Sequence, residues 1–311
     1  MSKNLTQAQL DKLWDRTKTQ QTLLVSDYSS LEIGIQGDFC LRLFNDPQLV
    51  HAYDAQFPAR KEDAVDLHSN NARNVFGKWL GWTVPEKMKV KDEYGNKKEI
   101  VPEYAGQTVD NIPVAQFKKH PFGEMLRDMI KAIWYGLAYG KGAYGFSTLK
   151  GVDGKMIGED RAQEMVDALL NAVPGMRKWF KWVEKFVRKH NGIYSLGGRW
   201  CDLSDEMESG DEWRFKRAFR RAFNFPMQAT GAEIIGDAMV RVMRCRLLKF
   251  LGFRTCLQVH DELVMRGPKV NEADALGLLV GHMQSATANG TPLLFKPKVS
   301  GGSAANYGAA K

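Results

Sequence analysis

Residues 255–264 read Thr-Cys-Leu-Gln-Val-His-Asp-Glu-Leu-Val and contain two short apolar runs that are interrupted only by three polar residues. Runs of this length and composition are typical of β-strands, and a short polar break between them predicts a tight hairpin. The hairpin would hold His260, Asp261 and Glu262 at its tip. This stretch therefore predicts a pair of strands that presents acidic groups at one end.

A second acidic position follows another predicted strand near the start of the chain. The run Thr-Leu-Leu-Val-Ser at 22–26 leads directly into Asp27 and continues to Glu32. Transfer of a nucleotide to a 3′-hydroxyl uses two divalent metal ions roughly 4 Å apart, and Mg²⁺ prefers carboxylate oxygens. Asp27 and Asp261, on neighbouring strand ends, would form the minimal bridging pair. Taken singly, either aspartate is also compatible with an ordinary turn residue.

A third pattern lies on a helix predicted at 124–140. One functional side chain recurs at every fourth position, and residues four apart are neighbours on a helix surface. These positions are Arg127, Lys131, Tyr135 and Tyr139. Two cations followed by two aromatic rings suit a triphosphate and a nucleobase, which favours a nucleotide-polymerising site. The stripe is equally compatible with basic side chains that extend along the surface beside core-facing aromatic rings.

The composition favours a polyanionic partner and excludes a membrane-spanning protein. The chain has 311 residues, a formal net charge of +8 and a pI of about 9.2, as expected of a nucleic-acid-binding protein. Its four cysteines lack zinc-type spacing and predict reduced thiols in a cytoplasmic protein. The start Met-Ser-Lys-Asn-Leu-Thr has no apolar core, and no apolar run approaches the length of a membrane span. We therefore expect no signal peptide and no membrane partner.

Together, these segments resemble the three sequence motifs of family-A DNA polymerases, the type of bacterial polymerase I and of phage replicases. The motifs are Asp-Tyr-Ser-Ser-Leu-Glu at 27–32, Arg-x3-Lys-x3-Tyr-Gly-x2-Tyr-Gly at 127–140 and Val-His-Asp-Glu at 259–262. Further similar segments follow in the family's order: Asp66-Leu67-His68, Asn74-Val75-Phe76-Gly77, Gly198-Arg199, Asn224-Phe-Pro-Met-Gln228 and Asn306-Tyr307. The resemblance covers roughly residues 22–311 and implies a template-directed DNA polymerase that acts on primer–template DNA and dNTPs.

The resemblance implies a site for two Mg²⁺ ions, for which Mn²⁺ would be a substitute. Asp27 and Asp261 would bridge the two ions. The carbonyl of Tyr28 would be a further ligand, and Glu262 would bind a metal through water. Lys131 would neutralise charge on the transferred group and protonate the departing pyrophosphate as a general acid.

Other residues are expected to bind the nucleotide. Arg127 and His68 would hold the triphosphate together with Lys131. Tyr135 would stack by the incoming sugar and base. Glu32, five residues after Asp27, would block the 2′-hydroxyl of a ribonucleotide, so the resemblance implies that deoxynucleotides are the substrates.

A further set is expected to contact the DNA. Tyr139 would lie near the template base, and His260 would touch the primer end. The resemblance places Arg220, Asn224 and Gln228 against the backbone and minor groove of the primer–template. For these last three, ordinary polarity of a helix surface is the alternative.

The expected fold class is α+β, a polymerase palm with a mixed or antiparallel sheet and packed helices, into which a helical fingers subdomain is inserted. We predict an N-terminal lead helix at 1–21, palm at 22–45 and 200–311, and fingers at 46–199. Residues 83–124 are rich in Lys, Glu, Gly and Pro and indicate an insertion with a solvated β-hairpin. This hairpin is either a template-facing basic flap or a plain surface elaboration.

Several element boundaries follow from local signals. A helix is predicted at 175–190, with Gly192 as its stop signal. A long helix is predicted at about 229–251, with Asn224 near the start of a helix. A closing strand is predicted at 292–299. The remaining helices are expected at 31–45, 160–172 and 271–287.

Only 26 residues precede Asp27, so we expect the thumb and the 3′–5′ exonuclease domain to be absent from this chain. The sequence thus predicts the catalytic C-terminal half of a split polymerase of the phage type, acting in the bacterial host cytoplasm. A second polypeptide would supply the thumb, the early palm and proofreading. The alternative is a non-catalytic nucleic-acid-binding or assembly subunit derived from a polymerase. The catalytic interpretation is favoured because a protein that only binds DNA needs no bridging carboxylates.

Overall fold

The computed structural model describes residues 20–58, 64–91, 93–151 and 155–310. The lead helix predicted at 1–21 lies outside these residues, except that Gln21 begins the first strand. The strands are β1 (Gln21–Tyr28), β2 (Met88–Lys91), β3 (Lys97–Ile100), β4 (Gly192–Tyr194), β5 (Trp200–Asp202), β6 (Arg254–Val259), β7 (Glu262–Pro268) and β8 (Val299–Ala304). The helices are α1 (Leu31–Phe44), α2 (Gln48–Ala55), α3 (Leu67–Ala72), α4 (Val114–Phe117), α5 (Pro121–Ala138), α6 (Ala143–Phe146), α7 (Glu159–Ala172), α8 (Pro174–His190), α9 (Ser204–Met207), α10 (Glu212–Arg244), α11 (Arg246–Phe250) and α12 (Glu272–Gln284).

The chain divides into two compact units. Unit 1 comprises the residues up to Ile35, Leu196–Gly198 and Gln228 onward, and unit 2 comprises Gln36–Ser195 and Arg199–Met227. The predicted palm was larger than unit 1, because it included the later part of α1 and the first half of α10. Side-chain packing explains the difference for α10, since the ring of Phe223 lies 5.1 Å from that of Phe180 in unit 2.

Unit 1 is built on a four-stranded antiparallel sheet with the strand order β6-β7-β1-β8. Leu24 is fully buried, as are Leu263 and Met265 on the neighbouring strand. Helix α12 packs against β1 and β8 and contributes buried Leu279 and Met283 to the same core. The predicted strand at 22–27, the hairpin at 255–264 and the α+β fold class are confirmed.

Unit 2 is mainly helical. Helix α5 packs on α3, and Trp134 of α5 is among the largest fully buried side chains. Helices α7 and α8 pack on each other, and Trp179 on α8 is fully buried. The hairpin predicted within the insertion is confirmed, because β2 pairs with β3. Of the helices that the structure describes, none has the length and apolar character to cross a membrane.

Of the predicted helix boundaries, the start of the long helix is wrong, whereas the helix predicted at 175–190 is confirmed, since α8 spans Pro174–His190. The C-cap of α8 is Asn191, whose φ of 53° is left-handed, and the predicted stop signal Gly192 already belongs to β4. Asn tolerates this conformation, and Gly192 is needed because an added Cβ would collide with the ring of Trp200. The long helix begins at Glu212, so Asn224 lies inside α10. Asp211 accepts hydrogen bonds from the first-turn amides of α10 and supplies its start signal.

The closing strand predicted at 292–299 is also wrong, since β8 begins only at Val299. Pro292 and Pro297 lie within the predicted range and have no N–H for a strand ladder. Small residues occupy most of β8, and Ser300 pairs in register with Asp27. Strand β8 therefore begins beside the predicted metal site.

Candidate active site

The end of the sheet in unit 1 brings the predicted carboxylates together. Strand β1 carries Asp27 next to its last residue, and Asp27 pairs in register with Glu262 at the start of β7. His260 and Asp261 form the two-residue turn between β6 and β7. The backbone N–H of Tyr28 donates to the carbonyl of Asp261 at 3.4 Å. Asp27 and Asp261 thus lie on adjoining strand ends, each next to a residue that pairs with the other's neighbour or with the other.

The turn that carries Asp261 has a constrained backbone. His260 has a φ of 53°, a left-handed value that two-residue hairpin turns favour and that non-glycine residues seldom adopt. The side-chain amide of Gln258 donates to the carbonyl of His260 and braces the turn. Unusual backbone conformations of this kind are concentrated at functional sites. The side chain of Tyr28 is engaged elsewhere, because its hydroxyl donates to the carbonyl of Met283 at 2.7 Å.

Glu262 has a partner that the sequence did not predict. Its side chain is 5% exposed, and the hydroxyl of Tyr307 donates to its Oε1 at 2.5 Å. The segment around Tyr307 is held on the sheet because Ala310 is buried against Val25 and Val264. At Gly302 an added Cβ would collide with the carbonyl of Ala310. A cavity of about 440 Å³ lies beside this packing and is lined by Asp27 and Glu262.

The donor set at this sheet end fits Mg²⁺. In the part of the chain that the structure describes, no three His, Cys, Asp or Glu side chains form a ready-made metal cage. Mg²⁺ does not need one, since it is usually held by one or two carboxylates together with substrate phosphates. Asp27 and Asp261 supply two such carboxylates, and the cavity beside Asp27 leaves room for further ligands.

In unit 2, Arg127 is held by an ion pair that involves an unpredicted residue. Its Nε and Nη2 donate to the two carboxylate oxygens of Asp66 at 2.9 and 3.0 Å. Asp66 also caps α3 by accepting from the amide of Ser69 at 2.7 Å. Burial raises the pKa of Asp66, but the hydrogen bonds from Arg127 and Ser69 outweigh burial and lower this pKa to about 2. The same ion pair raises the pKa of Arg127.

His68 lies in the first turn of α3, beside the predicted nucleotide stripe. Its ring is 5.8 Å from the ring of Tyr135 and 6.0 Å from that of Trp134. Burial, together with the charges of Arg127 and Lys131, outweighs the opposing charge of Asp66 and lowers the pKa of His68 to about 4. The imidazole is therefore neutral at pH 7. Among the described residues, its buried Nδ1 makes no hydrogen bond.

Only three of the four residues of the predicted stripe lie within α5. The helix ends at Ala138, so Tyr139 is its C-terminal cap, and the following Gly140 has a φ of +74°. Tyr139 is 40% exposed, whereas Tyr135 is half-buried. At Gly140 an added Cβ would lie 3.0 Å from the Cα of Arg220, so glycine permits α10 to approach this point.

The remaining predicted DNA contacts lie along α10. Arg220 and Gln228 are exposed, and Asn224 is half-buried. The buried Oδ1 of Asn224 has no hydrogen-bond partner among the described residues. Glu32 lies in the first turn of α1 in unit 1 and is half-buried. The roles of all these residues stay predictions.

Comparisons with known proteins identify the family. Residues 103–309 match the family described as DNA polymerase family A. The chain is 33% identical over 159 residues to DNA polymerase I of Chloroflexus aurantiacus, which is 51% of the chain and 16% of that protein. It is 27% identical over 283 residues to DNA polymerase I B, chloroplastic/mitochondrial, of Arabidopsis thaliana, which is 90% of the chain and 25% of that protein.

A solved structure shows the same fold. It is the POL domain of Pol1 from M. smegmatis in complex with DNA primer-template and dNTP, with a TM-score of 0.67 and 25% sequence identity. The alignment covers 93% of this chain and 40% of that chain. The chain belongs to the family-A DNA polymerases. It spans a quarter or less of the length of the two curated relatives named above.

Proposed function

We propose that this chain catalyses the template-directed transfer of deoxynucleotides to the 3′-hydroxyl of a DNA primer. The observation that carries the proposal is the shared end of β1 and the β6–β7 hairpin, where Tyr28 links the backbone positions of Asp27 and Asp261. Family membership supports the same reaction, as does the similarity to a POL domain solved with primer-template and dNTP.

We propose that Asp27 and Asp261 hold two Mg²⁺ ions, with the carbonyl of Tyr28 as a further ligand. When bound, such ions lower the pKa of the attacking hydroxyl and stabilise charge on the leaving pyrophosphate. Glu262 has one carboxylate oxygen engaged by Tyr307, so it would act through its other oxygen and a water molecule. Mn²⁺ would substitute because it accepts the same oxygen ligands.

The residues of unit 2 would bind the triphosphate and transfer a proton. Asp66 holds the Nε and Nη2 edge of Arg127, so the Nη1 group would be the one that meets phosphate oxygen. His68 is neutral and would donate an N–H hydrogen bond without a charge. Lys131 would donate its proton to the leaving pyrophosphate oxygen. Tyr135 would stack by the incoming sugar and base.

We further propose DNA contacts from Tyr139, Arg220, Asn224, Gln228 and His260. The arginine and the amide side chains can donate to phosphate and to acceptors in the minor groove. Glu32 would select deoxynucleotides, because its carboxylate would occupy the space of a 2′-hydroxyl. A polymerase with this selection would act on primer–template DNA and dNTPs.

Site-directed variants test the proposed chemistry. Asp27→Asn and Asp261→Asn should each lower Mg²⁺-dependent primer extension about a thousand-fold, because each removes several kcal/mol of transition-state stabilisation. DNA binding measured by anisotropy should change little. Asp274→Asn is the matched control, since Asp274 is an exposed aspartate on α12 of the same unit. Extension by either site variant at the rate of the control would remove that aspartate from the metal site.

We also propose that a second polypeptide, carrying the thumb and early palm, docks on unit 1. Strand β6 is an edge of the sheet, and its Leu257 is 47% exposed. Leu247 and Phe250 on α11 are 59% and 86% exposed. Exposed apolar groups beside an open strand edge are typical of a surface that another chain covers. Basic residues flank these groups, so we expect an apolar partner surface with an acidic border: Arg246, Lys249 and Arg254.

A pull-down of the tagged chain, combined with a primer-extension assay, tests this docking. The tagged chain would be purified from its source cells, and primer extension by the recovered complex would be compared with that of the chain alone. Phe250→Asp should lose both the captured polypeptide and the gain in extension. Met156→Asp should lose neither, since Met156 is a 71% exposed apolar residue in unit 2. Full extension by the isolated chain, or equal effects of the two variants, would contradict the proposal.

A further inference from the structure

The β2–β3 hairpin lies outside the residues that match the family and is amphipathic. The family match begins at residue 103, after β3 has ended at Ile100. One face of the hairpin carries Met88 and Val90, which are half-buried, and Ile100, which lies opposite Met88. The opposite face is exposed and carries four lysines, which we call the lysine face: Lys87, Lys89, Lys91 and Lys97.

In the described part of the hairpin, one ion pair compensates a charge of the lysine face. Glu99 pairs in register with Lys89 and makes an ion pair with Lys87 at 3.2 Å. Lys91 and Lys97 face each other directly across the two strands. Like charges at directly opposed positions destabilise an antiparallel strand pair. The hairpin therefore retains an arrangement of charges that is unfavourable for its own stability.

Such an arrangement becomes favourable when an anion lies on the face. Alternate residues of a strand are about 7 Å apart, so Lys89 and Lys91 form a short row of cations. Tyr94 in the connecting turn is 82% exposed and offers an aromatic ring at the tip. A row of cations with an exposed aromatic ring is the combination that binds a nucleic-acid strand through phosphate contacts and stacking.

We propose that the lysine face binds the phosphate backbone of DNA and that the hairpin is a DNA-binding flap of this chain. The choice of DNA as the anion rests on the proposed function, whereas the binding surface rests on the register of β2 and β3. Its lysines contribute non-specific affinity, because each phosphate that they neutralise releases a counterion.

The first experiment measures the salt dependence of DNA binding. The full chain would be titrated onto a fluorescently labelled primer–template at several KCl concentrations, without nucleotide or metal. The slope of log affinity against log salt is negative, and each phosphate contact contributes about −0.9 to it. Lys89→Ala/Lys91→Ala/Lys97→Ala should therefore make this slope less steep by about 2 to 3. The control removes three exposed lysines from α8, with the same change in net charge, and should leave the slope nearly unchanged: Lys181, Lys185 and Lys189.

Single substitutions separate a binding role from a structural role. Lys97→Glu replaces a like-charge pair by an opposite-charge pair, so it should raise the melting temperature while it lowers DNA affinity. Lys98→Ala is the control within the hairpin, because Lys98 pairs with Val90 and lies on the other face. It should bind DNA as tightly as the unmodified chain.

Several results would overturn the proposal. They are an unchanged salt slope in the triple variant, an equal loss in the α8 control, or no salt-dependent binding by the unmodified chain. Loss of binding to anionic lipid vesicles with unchanged DNA binding would assign the face to another ligand. Primer extension is not measured in these experiments, so failure of the polymerase proposal would leave the DNA-binding result interpretable.

Discussion

Asp66→Asn tests whether the ion pair between Asp66 and Arg127 stabilises the packing of α3 on α5. The pKa of Asp66 is lowered from 3.8 to about 2 by its hydrogen bonds in the folded protein. One pKa unit corresponds to about 1.36 kcal/mol, so the ionised carboxylate stabilises the folded state by about 2 kcal/mol. Neutral Asn keeps the cap on α3 but loses this stabilisation, and it leaves the 14% exposed guanidinium of Arg127 with only the exposed carboxylate of Asp128 nearby.

The direction of the pKa shift of Asp66 determines how this stabilisation changes with pH. Because the folded pKa lies below the unfolded value, the stabilisation is fully present above about pH 4 and is lost as pH falls toward 2. The difference in unfolding free energy between the unmodified chain and Asp66→Asn should thus be about 2 kcal/mol at pH 6 and should shrink below pH 4. Denaturant unfolding at a series of pH values measures it directly.

Asp128→Asn is the matched control for this experiment. Asp128 lies 3.6 Å from the other terminal nitrogen of Arg127, but its side chain is 68% exposed. Exposed ion pairs contribute little, so the control should lose less than about 0.5 kcal/mol. The loss of orientation at Arg127 should also raise the KM for dNTP about tenfold in Asp66→Asn only. Equal destabilisation by both substitutions, or a difference that persists at pH 2, would refute the reasoning.

Two further substitutions test the carboxylates of unit 1. Glu32→Ala should admit ribonucleotides, because it opens the space that a 2′-hydroxyl would need; an unchanged ratio of ribonucleotide to deoxynucleotide incorporation would reject this role. Tyr307→Phe should raise the Mg²⁺ concentration needed for half-maximal extension several-fold, because Glu262 loses its hydrogen bond. Tyr307→Trp should need a Mg²⁺ concentration between those of the other two proteins, because its indole N–H can still donate to Glu262. Equal Mg²⁺ dependence in the unmodified chain and both variants would show that this hydrogen bond does not matter.

Local patterns are sufficient to predict the elements that carry the proposed metal site. The apolar run before Asp27 and the polar break at 260–262 depend on neighbours in the sequence, so strand and hairpin could be predicted from them. The side-chain partners that hold the candidate site residues in place could not be predicted in this way. Asp66 and Arg127 are 61 residues apart and Glu262 and Tyr307 are 45 apart, and only the folded chain brings each pair together.

The boundary errors have equally specific causes. The long helix is predicted from about residue 229, and the resemblance puts Asn224 near a helix start, although Asp211 carries the side chain that caps the first turn of α10. The stripe on α5 was extended to Tyr139 because its fourfold spacing continues there. The positive φ of Gly140, which allows the approach of Arg220, ends the helix first.

The close fit between Gly302 and Ala310 has a practical consequence for handling this protein. The carbonyl of Ala310 occupies the space that any side chain at position 302 would need, and the same short segment carries Tyr307. Engineering of this protein should therefore leave position 302 as glycine, because a side chain there would displace the segment that braces Glu262.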